Sequence, residues 1–151
     1  MVNFDSLRCE WEEAAKFADL LRKQCNWSPA TYTYQYATFL YMACEDDPSK
    51  VELKSQVNDL IRTVPSLRIR YAGKTIPCEK FAIVKSEKYF DEDPNGKLVL
   101  PALEFLYIWN MFAIMDSCPK YSAIMLDKIE AKLTNYEADK CKSYLVETTK
   151  I

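Results

Sequence analysis

The stretch that decides the fold is WEEAAKFADLLRKQCNWSPATYTYQYATF, residues 11–39. Trp11, Ala14, Ala15, Phe17, Ala18 and Leu21 recur at helical intervals, while Glu12, Glu13, Lys16, Arg22 and Lys23 fill the other side. One apolar stripe against a charged face predicts an amphipathic helix, from about Ser6 to Cys25. Asn26 and Trp27 break the pattern, and Pro29 follows where a first helical turn accepts proline. The next segment has two readings. Thr31 to Tyr36 alternates strand formers with period two. Yet Ala30, Tyr34, Ala37 and Tyr41 recur at four, three and four, and no partner strand or turn lies nearby. The spacing predicts a second helix, Ser28 to about Cys44.

Outward from this hairpin the same pattern continues. After the polar break Glu45–Ser49, Leu53, Val57, Leu60, Ile61 and Val64 follow at helical spacing up to Pro65. A linker, Ser66 to Ile76, holds Gly73, and a fourth helix starts near Pro77 with Cys78, Phe81, Ala82 and Tyr89. Asp91 to Gly96 is a second break. Leu98 to Met115 is apolar with one charge, Glu104, and it contains Pro101. It sits at the bottom of the membrane-spanning range and lacks flanking basic residues, so it reads as a helix buried on all sides. Leu126, Ile129, Leu133 and Tyr136 mark a last helix, with Thr134-Asn135 a place for a bend. The expectation is all-α: stacked antiparallel αα-hairpins in a tetratricopeptide-like array, one helical-repeat domain over 1–151. Its parts are a first hairpin at about 6–44, a second part at about 50–115 and a last segment at about 120–148.

Composition removes several functions. The 151 residues include no histidine, two glycines and six cysteines, with 20 basic and 22 acidic side chains. Without histidine there is no Ser-His or Cys-His pair and the commonest metal ligand is missing. Two glycines disfavour phosphate-cradling loops. A net charge of -2 argues against a nucleic-acid binder. Cys9, Cys25, Cys44, Cys78, Cys118 and Cys141 are too far apart for a zinc knuckle, and with no apolar leader they read as free, mostly buried thiols in a cytoplasmic chain. Asn26-Trp27-Ser28 then reads as a chance glycosylation match. Asp46/Asp47 and Asp91/Glu92/Asp93 have the residue type of acid–base pairs but sit in polar loops without partners, so no enzyme and no cofactor are expected.

Two motifs ask for a ligand. Between Ser66 and Phe90, Arg68, Arg70, Lys74, Lys80, Lys85 and Lys88 face only Glu79 and Glu87. Arg68, Arg70, Lys74 and Lys80 are the candidate binding residues, for a carboxylate-bearing peptide or an acidic lipid headgroup; a solvated face with structural pairs, such as Arg70 at a helix C-terminus, is the competing reading. Asp91-x-Asp93-x-Asn95-Gly96 imitates a calcium loop, but Ala102 stands where the closing Glu belongs, so it reads as a turn. Lys16, Asp19, Lys23 and Gln24 would line the concave face of a repeat stack.

Ala14-x-x-Phe17-Ala18-x-x-Leu21 and Ala30-x-x-x-Tyr34-x-x-Ala37 match the two helices of a tetratricopeptide repeat. Three further stretches are more specific: Val64-Pro65-Ser66-Leu67-Arg68-x-Arg70-x-Ala72-Gly73-Lys74-x-Ile76-Pro77-x-Glu79-Lys80-Phe81, Pro101-Ala102-Leu103-Glu104-x-x-Tyr107-x-Trp109-Asn110-x-Phe112, and Trp27-Ser28-x-Ala30-x-Tyr32. Together they resemble the tetratricopeptide repeat protein thirty-nine family, including its fungal inclusion-body clearance relatives, over roughly Trp11 to Leu133 and toward the C-terminal part of longer members. The resemblance implies a non-enzymatic interaction scaffold linked to lipid handling or protein turnover, with a protein or peptide partner. A peripheral membrane-surface adaptor using the basic 66–90 segment is the alternative.

Overall fold

The computed structural model describes the backbone of residues 4–90, 98–113 and 119–148, with side chains over 5–90, 98–113 and 119–137. Its elements are α1 (Phe4–Leu7), α2 (Trp11–Gln24), α3 (Pro29–Asp46), α4 (Val51–Thr63), a 3₁₀ turn (Val64–Leu67), α5 (Pro77–Tyr89), α6 (Pro101–Ile108) and α7 (Pro119–Thr148). No strand longer than an isolated bridge occurs among the described residues. The fold is all-α and tetratricopeptide-like, as the hydrophobic spacing predicts.

The α2–α3 hairpin is its centre. Ala14, Ala15 and Ala18 on α2 and Ala30 and Ala37 on α3 are buried, so small side chains let the two backbones approach closely. Ten of the 18 residues of α3 are buried, including all of Thr31, Thr33, Thr38, Phe39, Leu40 and Met42. This helix is packed from several sides: by α2, by α4 and the 3₁₀ turn, by α5 and by α6. That explains the mixed pattern of Thr31–Tyr36, since a helix covered all round needs no polar face. Aromatic rings fill the seams. Phe39 stacks on Trp11 at 6.0 Å, and Tyr34 meets Phe81 at 6.0 Å and Phe105 at 6.2 Å.

Three boundaries differ from the sequence expectation. The first predicted helix is two: α1 ends at Leu7, Cys9 adopts a positive φ of 60°, and α2 starts at Trp11. The apolar segment is not a helix buried on all sides. Asn110, at φ 54°, stops α6 after a single buried face, and Tyr107, Ile108 and Trp109 remain exposed. The linker is also structured. Tyr71 and Lys74 exchange two backbone hydrogen bonds of 2.9 Å across Ala72 (φ 49°) and Gly73 (φ 78°), a two-residue hairpin turn with both central residues left-handed. α7 runs as one helix through Thr134-Asn135, where no break falls.

No described helix is long and apolar enough to cross a membrane. The calcium-loop imitation at 91–96 and Cys118 lie outside the described residues, as does the side chain of Cys141.

Candidate functional site: the basic hairpin and the apolar α6–α7 face

Glu79 organises the basic segment. It sits in the first turn of α5 and is fully buried, and its Oε1 accepts the Ile69 N–H at 2.8 Å. This bond draws residues 68–70 onto the start of α5, so that Arg68 and Arg70 flank the anchored residue and Lys80 follows the anchor. The second oxygen, Oε2, is buried with no hydrogen-bond partner among the described residues. A buried carboxylate with one of its two oxygens unsatisfied is costly on its own. Arg68, Arg70, Lys74 and Lys80 are all exposed, and none makes a side-chain ion pair among the described residues.

The six basic residues of 66–90 do not form one patch. Lys85 turns away to pair with Glu104 at 2.5 Å and lies 5.7 Å from the Phe81 ring centroid. With Lys88 it borders an open groove of about 480 Å³ between α5, α6 and α7, floored by Val99, Leu103, Tyr107, Phe112 and Ile129.

Beside the hairpin lie three aromatics that the sequence reading did not connect with the basic segment. The Tyr71 hydroxyl donates to the Trp27 carbonyl at 2.6 Å, and Trp27 meets Trp109 edge-on, 6.5 Å between centroids. All three rings are substantially exposed. Their signal in the sequence is that Trp27 and Trp109 each stand at a helix end, where an aromatic residue is not needed for a helical stripe. Ser28, next to Trp27, is buried with its hydroxyl donating to Thr31 Oγ1 at 2.7 Å.

The residues expected to line a concave face are mostly engaged in ion pairs on α2 itself. Lys16 pairs with Glu13 at 2.5 Å, and Asp19 with Arg22 at 2.6 Å and Lys23 at 2.5 Å. Burial works to raise the Asp19 carboxyl, but hydrogen bonds from Lys23 and Arg22 outweigh it and hold the group below the usual carboxylate range. Cys9, Cys25, Cys44 and Cys78 are free thiols, half-buried rather than buried. Burial pushes the Cys9 thiol up to about 11, with Lys128 opposing and Asp46 reinforcing the shift. Such a thiol is a poor nucleophile at neutral pH. No group of three or more Cys, Asp or Glu gathers as a metal cluster among the described residues.

The second unoccupied surface is on α7. Of its described side chains only Met125 is buried, while Leu126, Ile129, Leu133 and Tyr136 stay exposed along one face. The helix is tied down by charge: Lys128 pairs with Asp46 at 2.6 Å and Lys132 pairs with Glu45, both acids at the C-terminus of α3.

A stack of antiparallel helices around a small-residue hairpin, with solvent-facing surfaces and no catalytic grouping among the described residues, defines a helical-repeat protein. The family model described as Iml2/Tetratricopeptide repeat protein 39 matches residues 3–148. The chain belongs to that family. It is similar to "Tetratricopeptide repeat protein ttc-39B" of Caenorhabditis elegans, 35% identical over 110 residues. That match covers 73% of this chain and 18% of the worm protein. No solved structure matches the chain significantly. The three signature stretches have a structural reading. Pro65 opens the 3₁₀ turn, Ala72-Gly73 make the hairpin, Pro77 starts α5, and Trp27, Tyr71 and Trp109 bring all three stretches into contact.

Proposed function

We propose that this chain is a non-enzymatic protein-interaction scaffold, working in the cytoplasm, whose partner surface is the apolar face of α6 and α7. The single observation carrying this reading is the stripe Leu126, Ile129, Leu133 and Tyr136, exposed by 52%, 42%, 55% and 59%. Large side chains spaced three, four and three along a helix form a seam for a second helix, and a folded chain rarely leaves such a seam bare without use. The seam runs into the groove floored by Val99, Tyr107 and Phe112, which supplies the depth that anchors a partner side chain. Family membership supports an adaptor, and the lipid-handling or protein-turnover role that the resemblance implies is part of this proposal.

The test is affinity capture followed by mass spectrometry, comparing the wild-type chain with the double variant Leu126→Asp/Leu133→Asp. Both positions are exposed, so the variant should fold and keep its helicity. Partners identified with the wild type should be lost from the variant; an unchanged partner set refutes the assignment of this face.

A further inference from the structure

The two ends of the helical array use charge differently. At one end lie the start of α2, the α3–α4 turn and α7. There Glu12 and Asp47 are paired with Lys50, Asp46 with Lys128, and Glu45 with Lys132. At the other end the α2–α3 turn, the Tyr71–Lys74 hairpin and the end of α6 converge. Trp27, Tyr71 and Trp109 are 48%, 43% and 36% exposed there, held to one another by the Tyr71 hydroxyl bond and the ring contact. On the same segment stand Arg68, Arg70, Lys74 and Lys80, without ion pairs among the described residues, and the only acid in the sequence 66–80, Glu79, is buried.

We propose that this end is a docking site for an anionic phospholipid bilayer. The three rings lie at headgroup depth, and the four cations reach the lipid phosphates. The chemistry is complementary on both counts. Tyr and Trp rings favour the membrane–water interface because each has an apolar body and a polar tip, and Arg and Lys extend long stems toward the headgroups. The cations are local: the chain as a whole carries a net charge of -2, so attraction to an anionic surface arises at this end and orients the molecule. Shape favours a bilayer over an acidic peptide. The rings and cations stand on the α2–α3 turn, the hairpin and the residues leading into it, the first turn of α5 and the end of α6, and none of them lines the groove between α5, α6 and α7. Ring orientation disfavours single-stranded nucleic acid. Trp27 and Trp109 lie at 70° to each other, edge against face, which does not offer the successive parallel platforms that stacked bases use.

The experiment mixes the whole chain with vesicles of phosphatidylcholine alone, or of phosphatidylcholine with phosphatidylserine as about a third of the lipid. Flotation and tryptophan emission are both read. Trp11 is buried, so a change in emission reports Trp27 and Trp109. The expected result is flotation with the serine-containing vesicles only, a blue-shifted emission, and release as salt is raised. Arg68→Gln/Arg70→Gln/Lys74→Gln should weaken partition on the order of a hundredfold, from about fivefold per cation. Trp27→Ala/Trp109→Ala should abolish flotation with every cation intact, which simple ionic adsorption would not show. Should either variant lose helicity, Lys74→Gln/Lys80→Gln changes only exposed side chains and should weaken partition by about twentyfold or more.

Equal flotation with phosphatidylcholine alone, or wild-type partition in folded variants, overturns the proposal. So does binding of polyglutamate or a thymidine oligonucleotide without flotation. The inference does not rest on the α6–α7 face. Leu126→Asp/Leu133→Asp should float like the wild type, so failure of one reading leaves the other standing.

Discussion

α3 and α7 are both long helices whose large residues recur at helical spacing, yet one is the most enclosed element and the other the most open. α3 is covered by α2, α4, α5 and α6, and most of its residues are buried. α7 is 30 residues long and buries one described side chain, Met125. Nothing in the spacing of Leu126, Ile129, Leu133 and Tyr136 separates it from a core stripe. The lesson is that helical periodicity specifies a face that is able to pack, and the neighbouring elements decide whether it does.

Truncation should expose this difference most strongly. Phe39→Ala in α3 removes a fully buried ring stacked on Trp11 and should cost about 3–5 kcal/mol in urea unfolding. Leu133→Ala in α7 removes a similar apolar volume from water-exposed surface and should change stability by less than about 0.5 kcal/mol. Equal costs would break the comparison.

The ion pairs between the two helices offer the next test. Glu45 and Asp46 lie at the C-terminus of α3, where the helix dipole disfavours negative charge, and Lys132 and Lys128 offset both. Lys128→Glu/Lys132→Glu puts like charges together, and a stability loss of about 1 kcal/mol is expected. The sharper readout is hydrogen exchange: α7 amides should lose protection while α3 amides keep theirs.

A smaller effect of opposite sign is expected at Tyr34. Its hydroxyl is buried without a hydrogen-bond partner among the described residues, and burial pushes its ionisation far above the ordinary tyrosine value. Tyr34→Phe keeps the packing against Phe81 and Phe105 and should raise stability by up to about 1 kcal/mol. A loss in thermal unfolding would show that the hydroxyl has a role in holding α3.

The smallest effect is at alkaline pH. Cys9 is raised from 9.0 to about 11, first by burial, and Tyr41 on α3 from 10.0 to about 12, also first by burial. Both groups are acids that stay neutral longer in the folded chain. Their contribution is therefore complete below pH 9 and declines as pH rises through about 9–12. Cys9→Ser should flatten the lower part of that decline; an unchanged pH profile would remove Cys9 from the account.

The α2–α3 hairpin was legible because its small residues and its three–four spacing are local facts. The failures have equally local causes. The break at Cys9 has no glycine or proline to mark it; the Cys9 and Glu10 N–H groups close α1 by donating to the Ser6 and Asp5 carbonyls, with the cysteine at φ 60°. Asn110 was a readable stop, since asparagine tolerates the left-handed region, but the apolar run around it hid the signal. Arg68, Arg70, Lys74 and Lys80 were visible as a charge excess. That Lys85 and Lys88 leave this group for a groove, and that Trp27 and Trp109 join it, was not.

By itself the sequence determined an all-α chain, the central hairpin, the absence of histidine chemistry and the concentration of positive charge in one linker. These follow from residue type and spacing within a turn or two of helix. Only the tertiary structure decided which apolar stripes are covered and which aromatic residues meet the cations. Trp27, Tyr71 and Trp109 are brought together by contacts 44 and 82 residues apart. Contacts at such separations depend on how whole helices stack, which no local pattern encodes.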